Sequence, residues 1–150
     1  MKLAEALLQR STYQKKIENL QSRILANLKV QEEEEPDEDP QALLDAALAL
    51  HKELCELVKA INACNNRTRL PDGRSLSDAL ADRENLMKQR DLLARIASSA
   101  GGRDYRTARS ELRTNVLLSA RVLQQQVDRL SAEYRALDVQ IQATNWITEF

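Results

Sequence analysis

The sequence is poor in the residues that build catalytic sites and sheets. Its 150 residues include one histidine, two cysteines, one tryptophan, three glycines and three prolines, and aromatics make up 3%. A single histidine with no accompanying Ser/Asp or Cys set leaves the hydrolase triads without a foundation. Gly73 and Gly101-Gly102 stand in turn contexts, so there is no glycine-rich phosphate loop. A structural zinc site takes four ligands. His51 and Cys55, one helical turn apart, supply two, and Cys64 points the other way. No metal site and no cofactor is therefore expected. Nine residues separate the two cysteines, a rotation of about 180° and a rise of about 13 Å on one helix, so they cannot pair within it. Free thiols point to a reducing cytoplasm.

Long apolar runs are also missing. Nothing approaches the roughly 18 residues of a membrane span. Met1-Lys2-Leu3-Ala4-Glu5 opens an amphipathic pattern, not the apolar stretch of an export signal. The formal net charge of -1 predicts no general attraction to nucleic acid or anionic membrane.

Ala, Leu, Glu, Arg and Gln in heptad arrangement are abundant, and with few breakers they favour long helices. Leu123, Val127, Leu130, Tyr134, Leu137 and Ile141 recur at four-three-four-three-four spacing, which places all six on one stripe of a helix over about 119–146. Leu43, Ala47, Leu50, Leu54, Leu57, Ile61 and Cys64 repeat the pattern over about 40–65. Asp39 is set to cap that helix, with Pro40 in its first turn. A first helix spans about 2–28 and a third about 76–98, opened by the capping-box pattern of Ser75 with Asp78 and stopped by Gly101-Gly102. Between the first two lies 31–40, a solvated linker with seven carboxylates and two prolines. It lacks the glycine and alternating oxygen ligands of a calcium loop. Over 103–118 the pattern turns to period two (Leu112, Thr114, Val116, Leu118), which predicts a short extended piece near 111–118 inside a long connection. The expected architecture is all-α: one domain over 1–150, an elongated antiparallel four-helix bundle with coiled-coil-like seams. The acidic linker and the arginine-rich connection at 103–113 would then be neighbours at one end, and their charges would help copies associate.

Polar residues intrude on the apolar stripes. Arg10 and Gln14 do so in the first helix, Arg83 and Arg90 in the third. An unpartnered buried guanidinium costs several kcal/mol. Either the arginine stems pack and their heads reach water or a local partner, or they form a polar layer that binds a small anion or fixes helix register. Trp146 lies off the stripe near the C-terminal end, as a contact for another molecule or a cover over the core.

Several stretches resemble one family across nearly the whole chain: Met1-Lys2-Leu3-Ala4-Glu5-Ala6-Leu7, the linker from Lys29-Val30-Gln31-Glu32 to Glu38-Asp39-Pro40, and Ile61-Asn62 to Asn65 to Thr68-Arg69-Leu70. Leu76-Ser77-Asp78-Ala79-Leu80, Tyr105 with Arg109-Ser110-Glu111, and Ile141-Gln142 to Asn145-Trp146 extend it. The chain is similar here to a group of small bacterial helical proteins labelled septicolysin-like. The resemblance implies a bacterial origin, a helical fold and no established activity. It directs attention to Asn62, Asn65, Thr68, Asn145 and Trp146 as site candidates. The label also implies a pore-forming cytolysin, which a chain with one Trp and almost no strand pattern does not favour.

The functional expectation is a cytoplasmic scaffold that forms a homo-oligomer or binds a protein partner. The alternatives are a small-ligand or anion-binding protein, or an enzyme using the polar layer, and, last, a membrane-active cytolysin.

Overall fold

A computed structural model describes residues 1–101 and 114–150. Among the described residues there are four helices: α1 (Leu3–Ala26), α2 (Pro40–Arg67), α3 (Leu76–Gly101) and α4 (Ala120–Ile147). The fold is all-α, and each helix falls within three residues of the span the heptads predict.

The helix starts follow from side chains that take up otherwise orphaned amides. Asp39 accepts a hydrogen bond from the Gln41 amide at 3.0 Å, with Pro40 opening α2. Ser75 Oγ accepts from the Asp78 amide at 3.0 Å at the start of α3, and Ser119 Oγ from the Val122 amide at 3.4 Å at the start of α4. Between α2 and α3 the chain turns at Pro71-Asp72-Gly73. There Gly73 takes φ +90, a conformation that side chains oppose, and its amide donates to the Leu70 carbonyl.

Two expectations change. The extended piece near 111–118 does not form over its described part, 114–118. Val116, Leu117 and Leu118 are 60%, 92% and 55% exposed, so their alternation has no covered face, and among the described residues no strand lies beside it to complete its backbone bonds. Residues 111–113, and the arginine-rich stretch 103–113, lie outside the described residues. In addition, α3 does not stop near Ser98 but continues through Gly101. A glycine in the final turn costs only about 1 kcal/mol relative to alanine.

The chain forms two compact units, Met1–Arg69 with Ala143–Phe150, and Leu70–Gln142. In the first, α1 and α2 pack along each other as a hairpin joined by the acidic linker. Its tightest core lies at the end where the chain termini meet, with Leu3, Ala6, Ile61 and Cys64 at 0–1% exposure. Ile17, Leu20 and Ile24 of α1 and Leu50, Leu54 and Leu57 of α2 are half-buried, while Leu43 and Ala47 near the linker end of α2 are buried at 8% exposure. In the second unit α3 and α4 run antiparallel. Arg83 reaches Asp138 and Arg90 reaches Ser131, so seven residues forward on one helix are seven backward on the other. The α4 stripe is buried at Leu123, Val127, Leu130, Leu137 and Ile141 and half-buried at Tyr134.

Candidate functional site

In the first unit the two chain ends clasp each other. The Leu3 amide donates to the Thr148 carbonyl at 3.0 Å and the Phe150 amide to the Met1 carbonyl at 2.9 Å. Lys2 Nζ forms an ion pair with Glu149. That hydrogen bond, with the N-terminal ammonium nearby, holds the Glu149 carboxyl below its ordinary range. Beneath the clasp lies the Cys64 thiol, 3.9 Å from the Glu149 carbonyl oxygen and 3.8 Å from Thr68 Oγ1.

The residues predicted as a site fall into both units. In the first, Thr68 touches the Cys64 thiol and is half-buried, as is Asn65; Asn62 is exposed; Asn145 is buried at 5% exposure; Trp146 stands 58% exposed beside Ile147 at 74%. Arg10 is half-buried, and its Nε is enclosed without a hydrogen-bond partner. In the second unit Arg83 pairs with Asp138 at 2.5 Å. Arg90 Nε donates to Ser131 Oγ at 2.9 Å, and its Nη1 pairs with Asp91 at 3.2 Å. Those two arginines therefore have protein partners, the main ones on the facing helix. His51 and Cys55 are both exposed on α2. Among the described residues no group of three or more His, Cys, Asp or Glu is placed to hold a metal ion, and no helix is long and apolar enough to cross a membrane.

Two features of the α1–α2 hairpin escape a reading confined to the stripes. On one flank lies an open groove of about 480 Å³ lined by Thr12, Lys15, Lys16, Asn19, Leu20, Arg23 and Leu50. Arg23 is occupied there. Its guanidinium forks onto Glu38, lowering that carboxyl's pKa and raising its own. Asn27 joins the same junction, donating to the Arg23 carbonyl at 2.9 Å and accepting from the Glu38 amide at 3.1 Å. On the opposite flank, helical phase at about 100° per residue gathers Leu25 of α1 with Leu44 and Leu48 of α2. These three leucines are 63%, 40% and 53% exposed. The signal for this face was present in the sequence as leucines off the heptad positions, with Leu44 and Leu48 four residues apart.

The chain belongs to the DUF6847 family, a family of unknown function whose model matches residues 10–150. It is 38% identical to a functionally unknown conserved protein from Corynebacterium diphtheriae with a solved crystal structure, over 100% of this chain and 98% of that one, with a TM-score of 0.92. No curated protein matches the chain. An uncharacterised helical family is thus what these similarities support. Neither description carries the septicolysin label implied by the sequence resemblance, and nothing further rests on it.

Proposed function

We propose, for this member of a family of unknown function, a helical scaffold that works by self-association through the bare flank of its α1–α2 hairpin. The observation that carries this reading is the gathering of Leu25, Leu44 and Leu48, each at least 40% exposed, on one side of one hairpin. Single exposed leucines are ordinary, whereas a contiguous apolar face marks a contact surface. A cover over that face would stabilise by about 25 cal/mol per Å² of apolar area buried. A cytoplasmic setting is part of the proposal, supported by two cysteines that are both free.

Light scattering behind a sizing column, on protein at several concentrations, tests it. The expected result is a mass that rises with concentration, and a lower mass for Leu44→Glu with Leu48→Glu. A monomer at every concentration overturns the reading.

The second reading is binding of a small organic anion in the groove, favoured by Lys15 and Lys16 beside an apolar floor of Leu20 and Leu50. Phosphate, nucleotide and carboxylate probes in a thermal-shift screen test it. A shift that persists in Lys15→Ala with Lys16→Ala would place binding elsewhere.

A further inference from the structure

One residue joins the α1–α2 groove to the linker. Thr12, Lys16, Asn19 and Arg23 follow one another at four-three-four spacing, which turns all four to one side of α1. That side walls the groove over Leu20 and Leu50. Among the described residues neither Lys15 nor Lys16 has an ion-pair partner. Arg23 has one, and it does not line the groove. Nε of Arg23 donates to one Glu38 carboxylate oxygen at 2.9 Å and Nη2 pairs with the other, while Nη1 turns to Asn19 Oδ1 at 3.5 Å. A single guanidinium thus faces a linker carboxylate with one edge and the groove wall with the other.

The arrangement of charge selects a ligand. The groove holds about 480 Å³, within the range of about 300–1,000 Å³ for small-molecule sites. Lys15 and Lys16 stand toward one end of it and Arg23 at the other, about 10 Å apart along the helix, with Leu20 between them. Two cationic ends over an apolar middle match an anion with two heads and an apolar stem. The head that suits Arg23 is a carboxylate, because the guanidinium already grips one by two parallel hydrogen bonds. Glu38 is a tethered stand-in for that head, and a weak competitor. The two side chains are 43% and 38% exposed, and an ion pair so exposed contributes little. The Glu38 amide is held separately by Asn27 Oδ1 at 3.1 Å, so the carboxylate can swing away while the linker stays tied to α1.

Resting on the anion-binding reading, we infer that the groove takes a dicarboxylate with an apolar middle, one head on Lys15 and Lys16 and the other on Arg23 in place of Glu38.

Calorimetry at neutral pH tests this with decanedioate as the probe, and with decanoate and butanedioate as its one-headed and short-stemmed controls. Decanedioate binds at least tenfold tighter than either control, and Lys15→Ala with Lys16→Ala weakens it by a similar factor. Glu38→Gln tightens it about two- to fivefold, the factor that losing an exposed competing ion pair is worth. In Arg23→Gln that gain disappears, because the contested cation is gone. The carbon signal of the Glu38 carboxylate moves in an NMR titration with the same midpoint as the heat. Lys15, Lys16 and Arg23 are exposed, so these variants keep the fold. Binding that depends on Lys15 and Lys16 but is no tighter for decanedioate than for decanoate overturns the two-headed ligand. Binding that Glu38→Gln does not tighten, or tightens equally in Arg23→Gln, overturns the displacement of Glu38. Both of those results leave an anion site in the groove standing. No binding of any carboxylate, phosphate or nucleotide probe removes that site as well.

Discussion

The Cys64 thiol lies 3.9 Å from the Glu149 carbonyl oxygen, so the last turn of α2 is sealed by the residues that pair with the chain's own start. Leu3 to Thr148 and Phe150 to Met1 are the hydrogen bonds of that seal. Cys64 is fully buried, whereas Cys55 is exposed. Thiol titration with an aromatic disulfide is therefore expected to be biphasic, with one thiol reacting at once and the second only when the clasp opens. Deleting residues 149–150 is expected to accelerate the slow phase and leave the fast one unchanged. A single fast phase of two thiols in the intact chain would show that the clasp does not close.

The clasp is also expected to weaken in acid. Lys2 holds the Glu149 carboxyl below its ordinary range. A carboxyl whose folded pKa is depressed binds fewer protons folded than unfolded, so its contribution is complete above the unfolded value. That contribution is lost as pH falls through the folded one. The slow phase of Cys64 labelling, corrected for thiolate fraction, should quicken as pH drops through the carboxylate range. Glu149→Gln should be fast throughout, with that pH dependence gone.

At the other end of the hairpin, Asn27 ties the last turn of α1 to the linker by donating to the Arg23 carbonyl and accepting from the Glu38 amide. Asn27→Ala loses both bonds, and a net value of about 1 kcal/mol for each predicts a loss of about 1–2 kcal/mol in denaturant unfolding. Asn27→Asp keeps the acceptor but not the donor and should fall between. An unchanged midpoint for Asn27→Ala would mean water replaces both bonds at no cost.

The contrast between Asn27 and the helices shows what is legible in the sequence. Helix existence and extent followed from apolar periodicity, because each stripe fixes a helical phase without reference to its neighbours. The caps at Asp39 and Ser75 were equally local. Asn27 pairs with a residue eleven positions away, and nothing in its neighbourhood distinguishes a capping asparagine from a solvated one. Arg83 and Arg90 were visible as intruders, but their partners Asp138 and Ser131 lie on another helix, so the register had to be known first. The alternation ending at Leu118 misled for the opposite reason. A period of two marks a strand only where another strand meets it, and among the described residues none meets 114–118. Leu25, Leu44 and Leu48 became a face only once α1 and α2 were laid antiparallel.

Core and flank should separate cleanly in mutants. Ile61 is 1% exposed, and Ile61→Ala is expected to lower unfolding stability by about 2–5 kcal/mol through lost burial and the cavity left behind. Leu48 is 53% exposed, and Leu48→Ala at low protein concentration should shift the unfolding midpoint little while reducing association. Comparable destabilisation by the two would show that Leu48 belongs to the monomer core.

The Arg83–Asp138 contact lends itself to a double-mutant cycle. Its two side chains are 27% and 35% exposed and meet at 2.5 Å between α3 and α4. Partial exposure limits such a pair to the modest range of surface ion pairs, a coupling of about 1 kcal/mol or less. The single variants should not be equal. Arg83→Met removes the guanidinium but leaves Asp138 the amide of Gln142, which donates to the same carboxylate oxygen at 3.4 Å. Asp138→Ala leaves a half-buried arginine without its carboxylate. Asp138→Ala should therefore be the more destabilising, and Arg83→Met in the Asp138→Ala background should recover part of the loss by removing the stranded charge. Addition of 10 mM phosphate, about ten times a millimolar Kd, would raise stability by about 1.4 kcal/mol at an anion site. If phosphate stabilises the parent but not Arg83→Met, the arginine is a ligand group and the pairing with Asp138 is secondary. If phosphate leaves both unchanged, Arg83 serves the register of α3 on α4.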